Sequence, residues 1–177
     1  MDMARHCLKN KQPFGVVLRK PEANENDTTG IEMVGTSARI IAADMNQPGI
    51  LQIASRGEQR FTVRSSAREA NGLLIAAIDW LDATPALPLA PQYAACAVLL
   101  ASIIEDLEPD QSAALSINSR FTKPFKLSDT AWVADRLIEV LPVPIKAKQK
   151  LLEMTDPQAR IELVFAYLSQ KGIVPSS

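Results

Sequence analysis

Histidine, cysteine and glycine are scarce in this chain: one His, two Cys and seven Gly in 177 residues. That scarcity removes whole kinds of chemistry. A single histidine and two distant cysteines fall short of the three or four ligands of a zinc site, so no metal is expected. His6 and Cys7 are neighbours on what reads as a helix, where adjacent side chains point roughly 100° apart and do not form a base and its nucleophile. Neither a GxxxxGK[ST] loop nor a GxGxxG fingerprint occurs, so no nucleotide or other cofactor is expected. Cys7 and Cys96, far apart, read as reduced cytoplasmic thiols rather than a disulfide. Long apolar runs are missing too. Ala94 to Ile104 is about half the roughly 20 residues a membrane-spanning helix needs, and reads as a core helix.

An excess of either charge is also lacking. The formal net charge is −1, with ten basic and ten acidic residues up to Asp82, then nine and ten beyond it. Nucleic acid or an anionic membrane is normally met by a clear positive excess, so neither is expected as a partner.

What the chain does have is apolar content, 47%, enough for a real core in one ordinary domain or two small subdomains. Ala4, Cys7 and Leu8 share a helical face in Met1 to Lys9, ended by Asn10 and Gln12-Pro13. Phe14 to Leu18 reads as a buried strand, and KPEANENDTTG as a surface loop. Met33-Val34, Ala38 to Ala42, Ile50 to Ala54, Phe61 to Val63 and Leu73 to Trp80 are short β-type runs. Turns are expected between them at Asn46 to Gly49, Gly57-Glu58 and Asn71-Gly72, the last as a two-residue hairpin connection. The prolines of DATPALPLAP suppress both helix and ladder, which gives a sheet half over 1–82, a linker over 83–91 and a helical half over 92–177.

The helical half is heavily punctuated. Tyr93, Cys96, Ala97, Leu100, Ile103, Ile104 and Leu107 make the stripe of one long helix. The segment from Asp110 to Lys126 has no firm period and is expected to drape over the bundle. Ser128 is placed to cap a second helix with Ala134, Leu137, Ile138 and Leu141 inward, and Pro142 stops it. Pro144 opens a third with Ala147, Leu151 and Met154 inward. Asp156-Pro157 opens a fourth carrying Ile161, Val164, Phe165 and Leu168, and Gly172 ends it.

The run PFKLSDTAWVADRLIEVLPVP from Pro124 to Pro144, followed by KQKLLEMTDPQARIE, resembles the substrate-binding domain found at the front of Lon proteases and in small stand-alone proteins. Phe14 to Leu18, then Gly35-Thr36-Ser37-Ala38-Arg39-Ile40, then Arg56 to Phe61 are similar to three further signatures of that family, in order. The resemblance covers nearly the whole chain. It implies an α+β fold: a PUA-like antiparallel pseudo-barrel followed by a helical bundle. It also implies a non-catalytic role, because the ATPase and Ser-Lys peptidase modules of full-length Lon proteases have no counterpart here. Family members open with strands around PLFPL-like and FPG-like segments, whereas this chain begins at the helix MDMARHCLKN. Phe14 to Leu18 is therefore expected to lie unpaired and to drive self-association.

The partner implied is an unfolded or apolar polypeptide segment. Apolar residues outside the periodic stripes are the candidates for contact, namely Met33, Phe121 and Phe125, the two phenylalanines reading equally well as core. Trp132, off its stripe, reads as packing on the preceding loop. Lys146, Lys148 and Lys150 read as a solvated helix face. The alternative is a nucleic-acid module, on the analogy of PUA folds alone.

Overall fold

A computed structural model describes residues 2–24, 27–107, 121 and 123–175, which fall into two compact units, Met1–Ala83 and Thr84–Ser177.

In the first unit α1 (Asp2–Asn10) buries Ala4 and Cys7, while Leu8, expected on the same face, is 42% exposed. Lys11 then takes a left-handed φ of 53° and turns the chain into β1. Four strands follow as an antiparallel meander in the order β1 (Phe14–Arg19), β2 (Ile31–Gln47), β3 (Ile50–Arg68), β4 (Leu74–Trp80). The expected short runs between Met33 and Val63 are thus two long strands. Polar stretches such as Arg56 to Arg60 stay in the ladder because their backbone groups have partners across it: Arg39 opposite Arg56, Ala38 opposite Gly57, Thr36 opposite Arg60.

Gly57-Glu58 is therefore no turn. It lies where the register slips between the Thr36–Arg60 and Ala38–Gly57 pairs, a bulge that bends and twists the strand. The connection at Pro48-Gly49 does hold two residues, closed by the Gln47–Ile50 pair. Proline presets φ there, and Gly49 supplies a φ of 84°. Asn71-Gly72 sits in a longer loop instead of a two-residue one: the Glu69 amide donates to the Leu73 carbonyl and the Leu73 amide to Asn71 Oδ1.

Cross-strand register lines up Val17, Gly35, Phe61 and Trp80 in one row across all four strands. Phe61 is 3% exposed and forms a small core with Ile31 and Val63, packed by Val17, Leu74 and Ile78. Its ring lies over Gly35, where a Cβ would stand 2.8 Å from Phe61 Cζ and 2.5 Å from the Val16 carbonyl oxygen. Trp80 meets Phe61 edge-on at 6.2 Å.

In the second unit the proline-rich segment is not wholly outside the ladder. Pro88 forms a bridge with Asp129, the Leu89 amide donates to the Ser128 carbonyl, and Thr130 Oγ1 donates to the Pro88 carbonyl. A 3-10 turn, Pro91–Tyr93, leads into α2 (Ala94–Leu107), which buries Cys96, Leu100 and Ile104; Leu107, expected on that stripe, is exposed. Of the expected draping segment, 108–120 and 122 lie outside the described residues.

α3 (Thr130–Val140) is capped by Asp129, not Ser128: the Asp129 side chain accepts from the Trp132 amide at 2.8 Å, while the Ser128 carbonyl is engaged by Leu89. Its buried face is Val133, Ala134 and Leu137, continued by Leu141. α4 (Ile145–Glu153) is rotated from the expected phase. Ala147 is exposed and Gln149 is buried, since a small alanine gains little from burial and the Gln149 amide donates to Glu153. α5 (Pro157–Gln170) is capped by Asp156, buries Ile161, Val164 and Leu168, and ends at Gly172, whose φ of 68° suits only glycine well.

Arg160 on α5 is 2% exposed, with Nη1 3.4 Å from both the Asp135 carboxylate and the Met154 carbonyl. Leu100, Ile104, Val133, Leu137, Ile161 and Leu168 form the centre of this unit's core.

Candidate polypeptide-binding surface

Met33 lies on β2 with 47% of its surface exposed, beside the register shift that separates the Val17–Gly35 and Arg19–Ile31 pairs. Phe121 is different. At 4% exposure it belongs to the helical core, so its ring offers no contact surface; a bulky apolar side chain is drawn into a core that can hold it. Phe125 is half-buried against the same core, 6.2 Å from the Trp132 ring, the packing expected of Trp132 against its preceding loop.

The expected buried strand is half-buried. Within the sheet β1 is an end strand: it pairs with β2 on one side, and among the described residues nothing pairs with the other. Val16 on it is 50% exposed.

The register also defines a feature the sequence reading missed. β1 accompanies β2 only as far as Ala38, and β4 accompanies β3 only from Phe61. Beyond those points, apart from Gln59 and Arg60, which bond to Leu81, the two long strands show no pairing except with each other among the described residues, giving a two-stranded ribbon tipped by Pro48-Gly49. Ala43 and Ile53 face each other across it, and Ile41, Met45, Ile50 and Ile53 are each between 38% and 53% exposed. The alternation Ile41-x-Ala43-x-Met45 was the available signal.

Charges at the base of the ribbon are satisfied locally. Arg39 grips Glu58 with Nε to Oε1 at 2.6 Å and Nη2 to Oε2 at 3.1 Å, and its Nη1 donates to the Lys11 carbonyl. That paired carboxylate holds the guanidinium above its usual pKa. The ribbon therefore presents apolar side chains and backbone hydrogen-bonding groups rather than a field of one sign.

Catalytic groups do not converge. His6 Nε2 lies 3.3 Å from Gln12 Oε1 and the Cys7 thiol donates to Met3, so neither engages the other. Among the described residues no three His, Cys, Asp or Glu side chains cluster to hold a metal, and no helix is long and apolar enough to cross a membrane.

The architecture is a four-stranded antiparallel meander followed in the chain by a set of helices. Residues 1–170 match the ATP-dependent protease La (LON) substrate-binding domain, and the chain belongs to that family. It is 23% identical over 184 aligned positions to Lon protease 2 of Herpetosiphon aurantiacus, an alignment covering 92% of this chain and 19% of that protein. The chain thus spans about a fifth of that relative's length. Among solved structures it is similar to a Lon N-terminal domain protein from Xanthomonas campestris, with a TM-score of 0.68 and 28% identity over 94% of this chain and 82% of that one. The N-terminal domain of Mycobacterium avium complex Lon protease aligns at a TM-score of 0.47 and 14% identity, over 89% of this chain and 90% of that one. The α+β fold, a curled antiparallel half-barrel with helices, is that of the Xanthomonas domain.

Proposed function

We propose that this chain is a non-catalytic, cytoplasmic polypeptide-binding protein that captures exposed apolar or unfolded segments reversibly, by strand addition to its sheet. The observation that carries this reading is the coincidence of unpaired strand edges with half-exposed apolar side chains, at Val16 on β1 and at Met45 and Ile53 on the ribbon. An extended segment laid on such an edge gains main-chain hydrogen bonds, and alternate side chains of the segment meet the apolar ones. The same edge can accept a second copy of the chain, so self-association through Phe14 to Leu18 competes with client binding.

The test uses a reduced, alkylated and permanently unfolded protein, fluorescently labelled, with anisotropy as the binding signal and light scattering as the association signal. Val16→Lys places a charge on the edge at an exposed position, so its unfolding free energy should stay within about 0.5 kcal/mol of the parent. Its affinity for the unfolded chain and its self-association should both fall. A parent chain that stays monomeric at high concentration, and that binds the unfolded protein no better than Val16→Lys does, removes the edge from the mechanism.

A further inference from the structure

The helical unit holds a cleft that strand addition does not use. Gln92 and Tyr93 of the 3-10 turn and Glu162 and Phe165 of α5 line an open surface depression. Tyr93 and Phe165 stand 5.5 Å apart with their rings inclined at 72°, and Tyr93 is only 5% exposed, so its ring is held in place. Glu162 and Phe165 are three residues apart on one helix and hence neighbours on its surface. Gln158, one turn earlier, donates to both the Tyr93 hydroxyl at 3.3 Å and Glu162 Oε1 at 3.0 Å, which sets the carboxylate beside the aromatic pair. Among the described residues no cation forms an ion pair with Glu162.

We propose that this cleft receives a basic side chain of a bound polypeptide, arginine foremost. The inference rests on the polypeptide-binding reading and adds which client residue is recognised. Aromatic side chains beside a hydrogen-bonded carboxylate complement a cation carried on a methylene stem. A planar guanidinium both lies against an aromatic ring and offers paired N–H groups to a carboxylate, which an ammonium does not. A lone carboxylate is too little for a divalent cation, which takes six or more oxygens, and it repels anions.

The probe is N-acetyl-arginine methylamide, with its citrulline counterpart as a neutral isostere, titrated into the 177-residue chain while amide resonances are followed by NMR. Saturable shifts at Gln92, Glu162 and Phe165 are expected with arginine, and affinity about tenfold weaker with citrulline, the loss of one charge-assisted hydrogen bond. Glu162→Gln, at an exposed position, should leave the melting curve in place and bring arginine down to the citrulline level. Equal responses to the two compounds, or an arginine affinity indifferent to Glu162→Gln, overturn the assignment. If the labelled unfolded protein still binds in that case, only the cleft assignment falls; if it fails to bind as well, the polypeptide reading falls with it.

Discussion

Leu137→Ala is expected to lower the stability of the helical unit by about 2 to 5 kcal/mol, the range for emptying a fully enclosed aliphatic site. Leu137 has no exposed surface and lies in one cluster with Cys96, Leu100, Ile161 and Leu168, drawn from three helices. Truncating it removes packing from all of them at once. Val98→Ala is the matched control: it is an aliphatic residue of the same unit, 70% exposed on α2, and its loss should change stability by no more than about 0.5 kcal/mol. Urea unfolding followed by far-ultraviolet circular dichroism gives both values. Cys96 supplies a second readout, because burial pushes its thiol up to about 11 and leaves it protonated and sealed at neutral pH. Alkylation of Cys96 should therefore report unfolding, at much lower urea in Leu137→Ala than in Val98→Ala. Equal midpoints for the two variants refute the assigned helix phase.

Gly35→Ala should damage the sheet unit out of proportion to the one methyl group it adds. The new Cβ would come within 2.5 Å of the Val16 carbonyl oxygen and 2.6 Å of Val17 Cγ1, so β1 itself has to move. Overpacking of this kind costs about 1 to 3 kcal/mol. Among the described residues the hydrophobic cluster of the sheet has three buried members, Ile31, Phe61 and Val63, so the loss is large relative to what holds that cluster together. Gly57→Ala is the control, since a Cβ there would meet only Thr36 Cγ2 at 3.5 Å, an ordinary contact. In a Trp132→Phe background the fluorescence of Trp80 reports the sheet alone. Gly35→Ala should shift its urea midpoint well below that of Gly57→Ala; coincident midpoints mean that β1 does not pack on Gly35 as described.

The helices were legible because their ends are chemically marked. Pro144, Asp156-Pro157 and Gly172 act within a few residues of where they stand, and Cys96, Leu100 and Ile104 repeat at a spacing that only a helix brings to one side. Adjacent candidates for one role were harder, as at Ser128 and Asp129: both side chains can accept from a first-turn amide, and it is Asp129 that takes the Trp132 amide. The long strands were illegible for another reason. Arg56 to Arg60 carries no β-type run, and its place in the ladder is decided by a partner strand some twenty residues earlier. Arg160 on the inward side of α5 defeats any reading by polarity, because its burial depends on Asp135 and the end of α4. For the binding surface, Met33 could be read as an apolar residue outside the stripes. The ribbon could not be seen without knowing where β1 and β4 stop, and Phe121 had nothing in its own sequence neighbourhood to separate core from contact.

The ribbon's architecture has a consequence in the language of amide hydrogen exchange. In an antiparallel pair every second N–H points at the partner strand and the ones between point outward. Where β2 runs past Ala38 and β3 has not yet met β4, the outward set has no partner strand among the described residues, although the Met45 amide donates to Asp44 Oδ1. From Arg39 to Gln47 and from Ile50 to Gly57 the protein should therefore exchange as a comb, slow and fast teeth alternating between the register shifts at Ile40/Ala42 and Asp44/Gln47. At Phe61 and Thr62, flanked by β2 on one side and β4 on the other, the fast teeth should be missing. An extended segment added to the outer edge of β2 would slow the fast teeth of that strand alone, which makes the comb a direct assay of where a client lies down.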